Sequence, residues 1–172
     1  MLSSDDGGPT RLTVAPLTRD DGKEIFEIVG QLEGMAAAGA ARLSQAEREG
    51  VIQAMAVAND QLRDVGTNGS ADRMRFFELD SAFHKACVAE AGSPRLRRLH
   101  NAVKPQAERY IRLYVTALLD QIAVSVEEHE ALLEEIRAGD PERAHRAMFL
   151  NWRNAGLRLD GIIASLGEQG SW

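Results

Sequence analysis

The stretch Arg75–Val88, RFFELDSAFHKACV, decides how this chain folds. It places Asp80 and His84 four residues apart, so on a helix the two side chains share one face. Burying a carboxylate and an imidazole among apolar side chains costs free energy unless both find partners. Either the two residues are exposed, or another part of the chain completes a polar site with them. The surrounding face is otherwise apolar and carries Phe76, Phe77, Phe83, Cys87 and Val88.

Composition limits the class of protein. The chain has 172 residues, which is enough for one domain with a substantial core. A net charge of −6 provides no general attraction to nucleic acid or to an anionic membrane. Helix-forming residues dominate and β-branched residues are sparse, which predicts an all-α protein. The single cysteine excludes an internal disulfide, and we recognise neither a membrane span nor a signal peptide. We therefore expect a soluble, cytoplasmic protein.

The chain reads as one helical domain with two short tails. Residues 1–16 are rich in Ser, Asp, Gly and Pro without periodicity, which predicts a flexible tail or linker. The predicted domain covers residues 17–166, and residues 167–172 predict a frayed C-terminus. Six helices with short connections favour an antiparallel bundle of six or seven helices. The first predicted helix runs from about Arg19 to Ala41, the second from Ser44 to about Val65, and the third contains Arg75–Val88 and ends near Gly92. The fourth begins at Pro94, the fifth runs from about Gln121 to Ala138, and the sixth runs from Pro141 to about Leu166.

Capping signals support these boundaries. Ser44 followed by Glu47 forms a capping box at the second helix. Ser93-Pro94 and Asp140-Pro141 each place a capping side chain before a proline at the first helical position.

Apolar spacing assigns a core face to each helix. On the first helix, the predicted face is Ile25, Ile28, Val29, Leu32, Met35 and Ala36. On the second helix, it is Val51, Ile52, Met55, Ala58 and Leu62. On the fourth helix, it is Leu96, Leu99, Val103, Tyr110, Leu113 and Tyr114. Gly30 and Gly34 either weaken the first helix or permit another helix to approach closely.

Two further helices offer polar side chains to the interior. His129 lies within the apolar face of the fifth helix, and Asn151 lies within that of the last helix. Together with Asp80 and His84 they form a donor set suited to a divalent metal, namely zinc first, or nickel, manganese or iron. Asn151 would supply a weak amide oxygen or hydrogen-bond a water on the metal. The alternatives are an ordinary Asp80–His84 ion pair and a core His129 satisfied by a backbone carbonyl, and periodicity leaves both open.

Other polar residues give weaker indications of a functional site. We assign His100 and His145 to the surface or to packing. The basic run of the fourth helix reads mostly as a solvated face, but Arg109 or Arg112 lies close enough to apolar residues to point inward. Either arginine would then hold a carboxylate by two parallel hydrogen bonds. A recognisable nucleic-acid reading motif is missing.

Several segments resemble the FCD domain, the effector-binding domain of FadR-type GntR transcription regulators. FFELDSAFHKACVAEAGSPRLRRL resembles its third and fourth helices, and EEHEALLEEIRAGDPERAHRAMFLNW resembles its last two. IFEIVGQLEGMAAAGAARLS is similar to its first helix, and VAPLT is similar to the linker that precedes it. The resemblance runs from about Thr13 to Leu159, and the combination of LD…FH, EH and GD is fairly specific.

The resemblance implies a helical bundle with a cavity, usually in a homodimer. In many members an Asp and three His bind a metal, and a small organic acid binds at or beside it. Asp80, His84 and His129 match three of these positions, whereas the third histidine falls at Asn151. An arginine that often holds the effector is replaced here within Val29-Gly30-Gln31.

The expected function is therefore that of a ligand-sensing domain. GntR regulators carry a winged helix-turn-helix before this domain, and only a short polar tail precedes it here. We expect contact with DNA only through such a reading domain, which is absent from this chain. One alternative is an enzyme with a two-histidine, one-carboxylate metal site. Against it, Glu78 and Glu128 adjoin predicted ligands but are predicted to point to other helix faces. The other alternative is a metal-free helical dimerisation module.

Overall fold

The computed structural model describes residues 17–67 and 72–167, and the elements within these ranges are helical. The all-α prediction is confirmed, and the helices lie where the caps and turns predicted them. The predicted tail at 1–16 and residues 168–172 of the predicted frayed end lie outside the described residues. The helices are α1 (Arg19–Ala41), α2 (Gln45–Thr67), α3 (Arg73–Ala91), α4 (Pro94–Leu118), α5 (Ile122–Ala138) and α6 (Pro141–Leu166), with a short 3-10 turn at Leu119–Gln121.

Side chains cap the helices as predicted. The backbone N–H of Ser44 donates to Glu47 Oε2 at 3.1 Å, and Ser44 Oγ accepts from the Glu47 N–H at 3.4 Å. The Ser93 hydroxyl accepts from the first turn of α4 at 3.3 Å. Asp140 accepts from two backbone N–H groups of α6 at 3.0 and 3.1 Å. Gly139, which ends α5, has a φ of 71°, a conformation that favours glycine.

Helix α1 is central, because it contacts each of the other five helices and packs most extensively on α6. The close packing depends on small residues. A Cβ at Gly30 would lie 2.9 Å from Trp152 Cβ, and a Cβ at Gly34 would lie 3.0 Å from the His145 ring. Of the two interpretations of these glycines, close approach of another helix is the one that the structure supports.

The predicted core face of α1 is partly wrong. Ile28 and Met35 are exposed, although the spacing placed them inward. Glu33 is fully buried instead, on the side of α1 that faces α3, α4 and α6. Glu33 occupies an interior position that the apolar spacing did not assign to it, because its partners compensate the burial of its carboxylate.

The predicted core face of α4 is also partly wrong, although Leu96, Tyr110 and Tyr114 are buried as expected. Leu99 and Leu113 are exposed, whereas His100 and Lys104 are buried. Both buried groups contact Glu33, which compensates the cost of burying them. The assignment of His100 to the surface or to simple packing is corrected accordingly.

By contrast, the predicted face of α2 is buried as expected, and so is the apolar face of α5 that carries His129. None of the helices in the described ranges is long and apolar enough to cross a bilayer.

Candidate metal centre

Asp80, His84 and His129 come together in the interior. The first two lie on α3 and the third on α5, and one donor atom from each lies within 4.8 Å of the others. Both histidines are buried and Asp80 is half-buried. Carboxylate and imidazole are good ligands for divalent transition metals, so this group is able to hold a metal ion.

The hydrogen bonds of His129 leave one ring nitrogen for a metal. Its Nδ1 donates to Asn59 Oδ1 at 2.9 Å, and the Asn59 amide donates in turn to the Val126 carbonyl at 3.4 Å. Its Nε2 is buried, has no hydrogen-bond partner among the described residues, and lies 3.8 Å from Asp80 Oδ1. A buried nitrogen without a partner is unusual in a folded protein. A buried polar atom without a partner costs free energy, and a metal bound through the lone pair of His129 Nε2 would remove that cost.

The protonation state of His129 also suits metal binding. Burial lowers the pKa of His129 well below its usual range, because a buried site disfavours the charged form of the ring. The imidazole is therefore neutral at physiological pH, which is the form that binds a metal. Its ring stacks on Phe83 with centroids 3.7 Å apart, and this contact holds its plane in place.

Glu33 is the centre of a second polar cluster, which lies next to the Nδ1 side of His84. Its Oε2 lies 2.6 Å from His84 Nδ1, at angles outside those of a hydrogen bond, and accepts from Trp152 Nε1 at 2.7 Å. Its Oε1 lies 2.8 Å from His100 Nε2 and 3.3 Å from Lys104 Nζ. Burial alone would raise the pKa of Glu33. The Lys104 ammonium, the neighbouring His84 ring and the hydrogen bond with His100 outweigh that effect and hold the pKa of Glu33 well below its usual range. Glu33 is therefore a buried, ionised carboxylate.

Sequence reasoning missed Glu33. The available signal was its position, four residues after Val29 and three before Ala36, both of which were assigned to the core face. An acid at such a position predicts either exposure or a set of buried partners. The partners lie on three other helices, so no spacing within α1 revealed them.

Asn151 lies on α6 beside the group. It is buried and lines the same small cavity as Asp80 and His84. Its amide nitrogen donates to Glu128 Oε2 at 3.0 Å, so its carbonyl oxygen is the atom left to face a metal or a water. The role of Asn151 at a metal stays a prediction.

The arginine at the cavity is Arg158. It is half-buried, and Glu128 accepts two of its N–H groups at 3.0 and 3.1 Å. Arg109 and Arg112 are both exposed and lie outside the lining of the cavity. The Arg112 guanidinium lies 4.3 Å from the centroid of the Phe77 ring. The structure therefore brings to the cavity an arginine that the sequence had not singled out.

Glu78 and Glu128, the two acids considered as possible general bases, differ in their exposure and contacts. Glu78 is exposed on α3. Glu128 is half-buried and engaged with α6, where Asn154 also donates to it at 2.8 Å. Neither belongs to the group of potential metal ligands.

Comparison with known families identifies one match. The FCD domain matches residues 24–151, which is most of the chain and includes all four residues predicted at the metal. No curated protein matches the sequence.

Proposed function

Because the chain belongs to the FCD family, the effector-binding domains of GntR transcription regulators, we propose that it senses a small organic acid through a bound divalent metal. The observation that carries the proposal is the buried Nε2 of His129. It has no partner among the described residues and lies 3.8 Å from the Asp80 carboxylate, within reach of His84.

Three side chains would hold the metal: Asp80 through a carboxylate oxygen, His129 through Nε2, and His84 through the nitrogen that does not face Glu33. Zinc suits this donor set best, and nickel, manganese or iron would also fit it. Glu33 would orient the His84 ring from the side of Nδ1, as carboxylates commonly do for metal-binding imidazoles. Asn151 would complete the set or hold a water on the metal.

The acid would bind beside the metal, with its carboxylate directed to Arg158. Arg109 and Arg112, which the sequence favoured for this role, would have to leave their exposed positions to reach it. Arg158 already lines the cavity with Asp80 and His84, so we assign the contact to Arg158.

We further propose that the domain acts as a cytoplasmic homodimer, an antiparallel bundle around this cavity. Residues of α3, α4, α5 and α6 line the cavity, so a ligand there would contact four helices at once. The acid shifts the equilibrium only if it binds one arrangement of the helices more tightly than another. In a full regulator, that shift would change the spacing of attached winged helix-turn-helix domains.

Metal content tests the proposal. The purified protein should hold a stoichiometric divalent metal by mass spectrometry, and the double variant His84→Ala/His129→Ala should lose it. His145→Ala removes a histidine outside the group and should retain the metal. Equal metal content in the double variant and the parent would contradict the proposal. If neither chelation nor added zinc changes the melting temperature, a metal-free dimerisation module becomes the better interpretation.

The same donors also occur in metal enzymes, since two histidines and one carboxylate can bind iron in oxygenases. The nearest acid by sequence, Glu128, is bound to Arg158 and Asn154 and lies outside the donor group. Saturable binding of an acid without turnover supports the sensor. Turnover of that acid with Fe(II) and oxygen would establish the enzyme instead.

A further inference from the structure

Helices α1 and α4 pack side by side in opposite directions. Near the start of α1, the Asp21 carboxylate accepts from the Tyr110 hydroxyl at 2.6 Å. Further along α1, Glu33 contacts His100 and Lys104, which precede Tyr110 on α4. The start of α4 therefore lies beside the C-terminal half of α1.

On the side that faces α4, α1 exposes large apolar side chains. Ile28 and Met35 follow Asp21 at intervals of seven residues, so they continue the side of α1 that contacts Tyr110. They are 40% and 56% exposed, and Leu32 between them is half-buried. Helix α1 thus presents an apolar stripe next to α4.

Helix α4 presents a matching stripe next to α1. Val103 and Leu99 precede Tyr110 by seven and eleven residues, which places them on the same side of α4 as its ring. Leu99 is 52% exposed, and Val103 is half-buried. The two stripes form one surface, here called the apolar seam, which consists of Ile28, Leu32, Met35, Leu99 and Val103. A contiguous exposed apolar surface is typical of a contact with another protein.

One end of the apolar seam is acidic. Three exposed acids lie near the start of α1, where Arg109 is the exposed cation next to Tyr110 on α4. The acids are Asp20, Glu24 and Glu27. Arg19 and Lys23 of the same segment pair with Asp160 on α6, on the other side of α1. The acids therefore outnumber the cations along this end.

The opposite end of the apolar seam is basic. Arg95 and Arg98 are exposed on the first turns of α4. Residues 34–41 of α1, which lie beside them, carry no charge. The seam therefore runs from an acidic end through an apolar centre to a basic end.

We propose that the apolar seam is the surface through which two copies of this chain bind each other. The inference rests on the homodimer of the proposed function and locates its contact. Two copies pack seam to seam about a two-fold axis that passes near Leu32 and Val103. Such an axis exchanges the two ends, so the acidic end of each copy meets the basic end of its partner. Glu24 then lies opposite Arg98 of the partner subunit.

A second copy is the occupant that this surface fits, because the surface complements itself. Apolar side chains meet apolar side chains at the centre, where their removal from water drives association. Opposite charges meet at both ends, which fixes the orientation of the two copies more than it adds affinity.

Sedimentation equilibrium tests the surface. The purified protein should be a dimer at micromolar concentration, and Met35→Glu or Leu99→Glu should weaken the dimer at least about hundredfold. Both positions are more than half exposed, so these variants should retain the circular dichroism of the parent. Leu157→Glu makes the same change at a 60% exposed leucine of α6 outside the seam and should leave association unchanged.

Two results would overturn the inference, and they differ in what else they affect. If the parent is a dimer and both seam variants associate as tightly as it does, the contact lies elsewhere, while the proposed homodimer and metal binding stand. If the parent is a monomer, the inference and the homodimer are both wrong, and metal content still tests the sensor separately.

A charge exchange tests the two-fold arrangement. Glu24→Arg and Arg98→Glu each place like charges opposite one another at both ends, so each should weaken the dimer by about tenfold. The double variant restores opposite charges and should bind within about threefold of the parent. Within one copy the two positions lie at opposite ends of the seam, roughly 16 Å apart along α1, so only contact between copies explains the rescue. Losses that simply multiply in the double variant would refute this arrangement.

Discussion

Replacing Glu33 by alanine should destabilise the protein more than replacing any exposed acid on the same helix. The side chain is fully buried and contacts His84, His100, Lys104 and Trp152. Its removal leaves a buried ammonium, an indole N–H and two imidazoles without their common acceptor. Each of these groups lost contact with water on folding, so none recovers a partner when Glu33 is absent.

The largest part of the expected loss comes from Lys104, whose side chain is only 8% exposed. Removing one partner of a buried ion pair costs about 3–5 kcal/mol, because the other charge stays buried. The unpaired indole N–H of Trp152 would add about 1–3 kcal/mol if the effects were independent. They share one site and are not additive, so we expect a total near 4 kcal/mol. For a chain of this length, that lowers the melting temperature by roughly 10 °C.

Urea denaturation followed by far-ultraviolet circular dichroism measures this loss. The titrations should contain a chelator, because Glu33 touches His84 and a change in metal affinity would otherwise contribute. Glu24→Ala is the matched control, since Glu24 is exposed on α1, and it should change stability by no more than about 0.5 kcal/mol. The double variant Glu33→Gln/Lys104→Met should cost less than the sum of its single variants, because both charges leave together.

The result that refutes this reasoning is a small loss. If Glu33→Ala costs less than about 1 kcal/mol, the carboxylate is not an ionised acceptor shared by buried donors. If the double variant is as costly as the sum of the single variants, Glu33 and Lys104 are not energetically coupled.

Three further predictions concern other parts of the molecule. Gly30→Ala should cost about 1–3 kcal/mol in unfolding experiments, because its Cβ would lie 2.9 Å from Trp152 Cβ. Gly161→Ala, with nothing within 4 Å, should instead stabilise α6 by about 0.5–1 kcal/mol, and equal effects at both sites would contradict the packing. The Arg19 hydrogen bond lowers the pKa of Asp160 from 3.8 to about 2, so its stabilising contribution is present above pH 3.8 and is lost as the pH falls towards 2. Carboxyl NMR should show this midpoint and a higher one in Arg19→Gln; an unchanged midpoint would show that Arg19 is not the cause. Asn151→His should raise zinc affinity by about tenfold or more in competition titrations, and no gain would show that residue 151 does not reach the metal.

Local signals determined much of the fold. The Ser44–Glu47 capping box and the Asp140-Pro141 start depend on groups within one turn, so their energetics are readable from adjacent residues. The pairing of Asp80 with His84 was equally local, because four residues on a helix bring two side chains to one face. His129 was identified because it interrupts the apolar face of its own helix.

Tertiary structure alone decided which further polar groups join Asp80, His84 and His129 in the interior. Ile28 and Met35 satisfy the apolar spacing of α1 yet are exposed, whereas Glu33 is buried with donors from α3, α4 and α6. Arg158 likewise reaches the cavity because Glu128 on α5 holds it there. The free energy of burying a charge depends on partners distant in sequence, and periodicity within one helix carries no information about them.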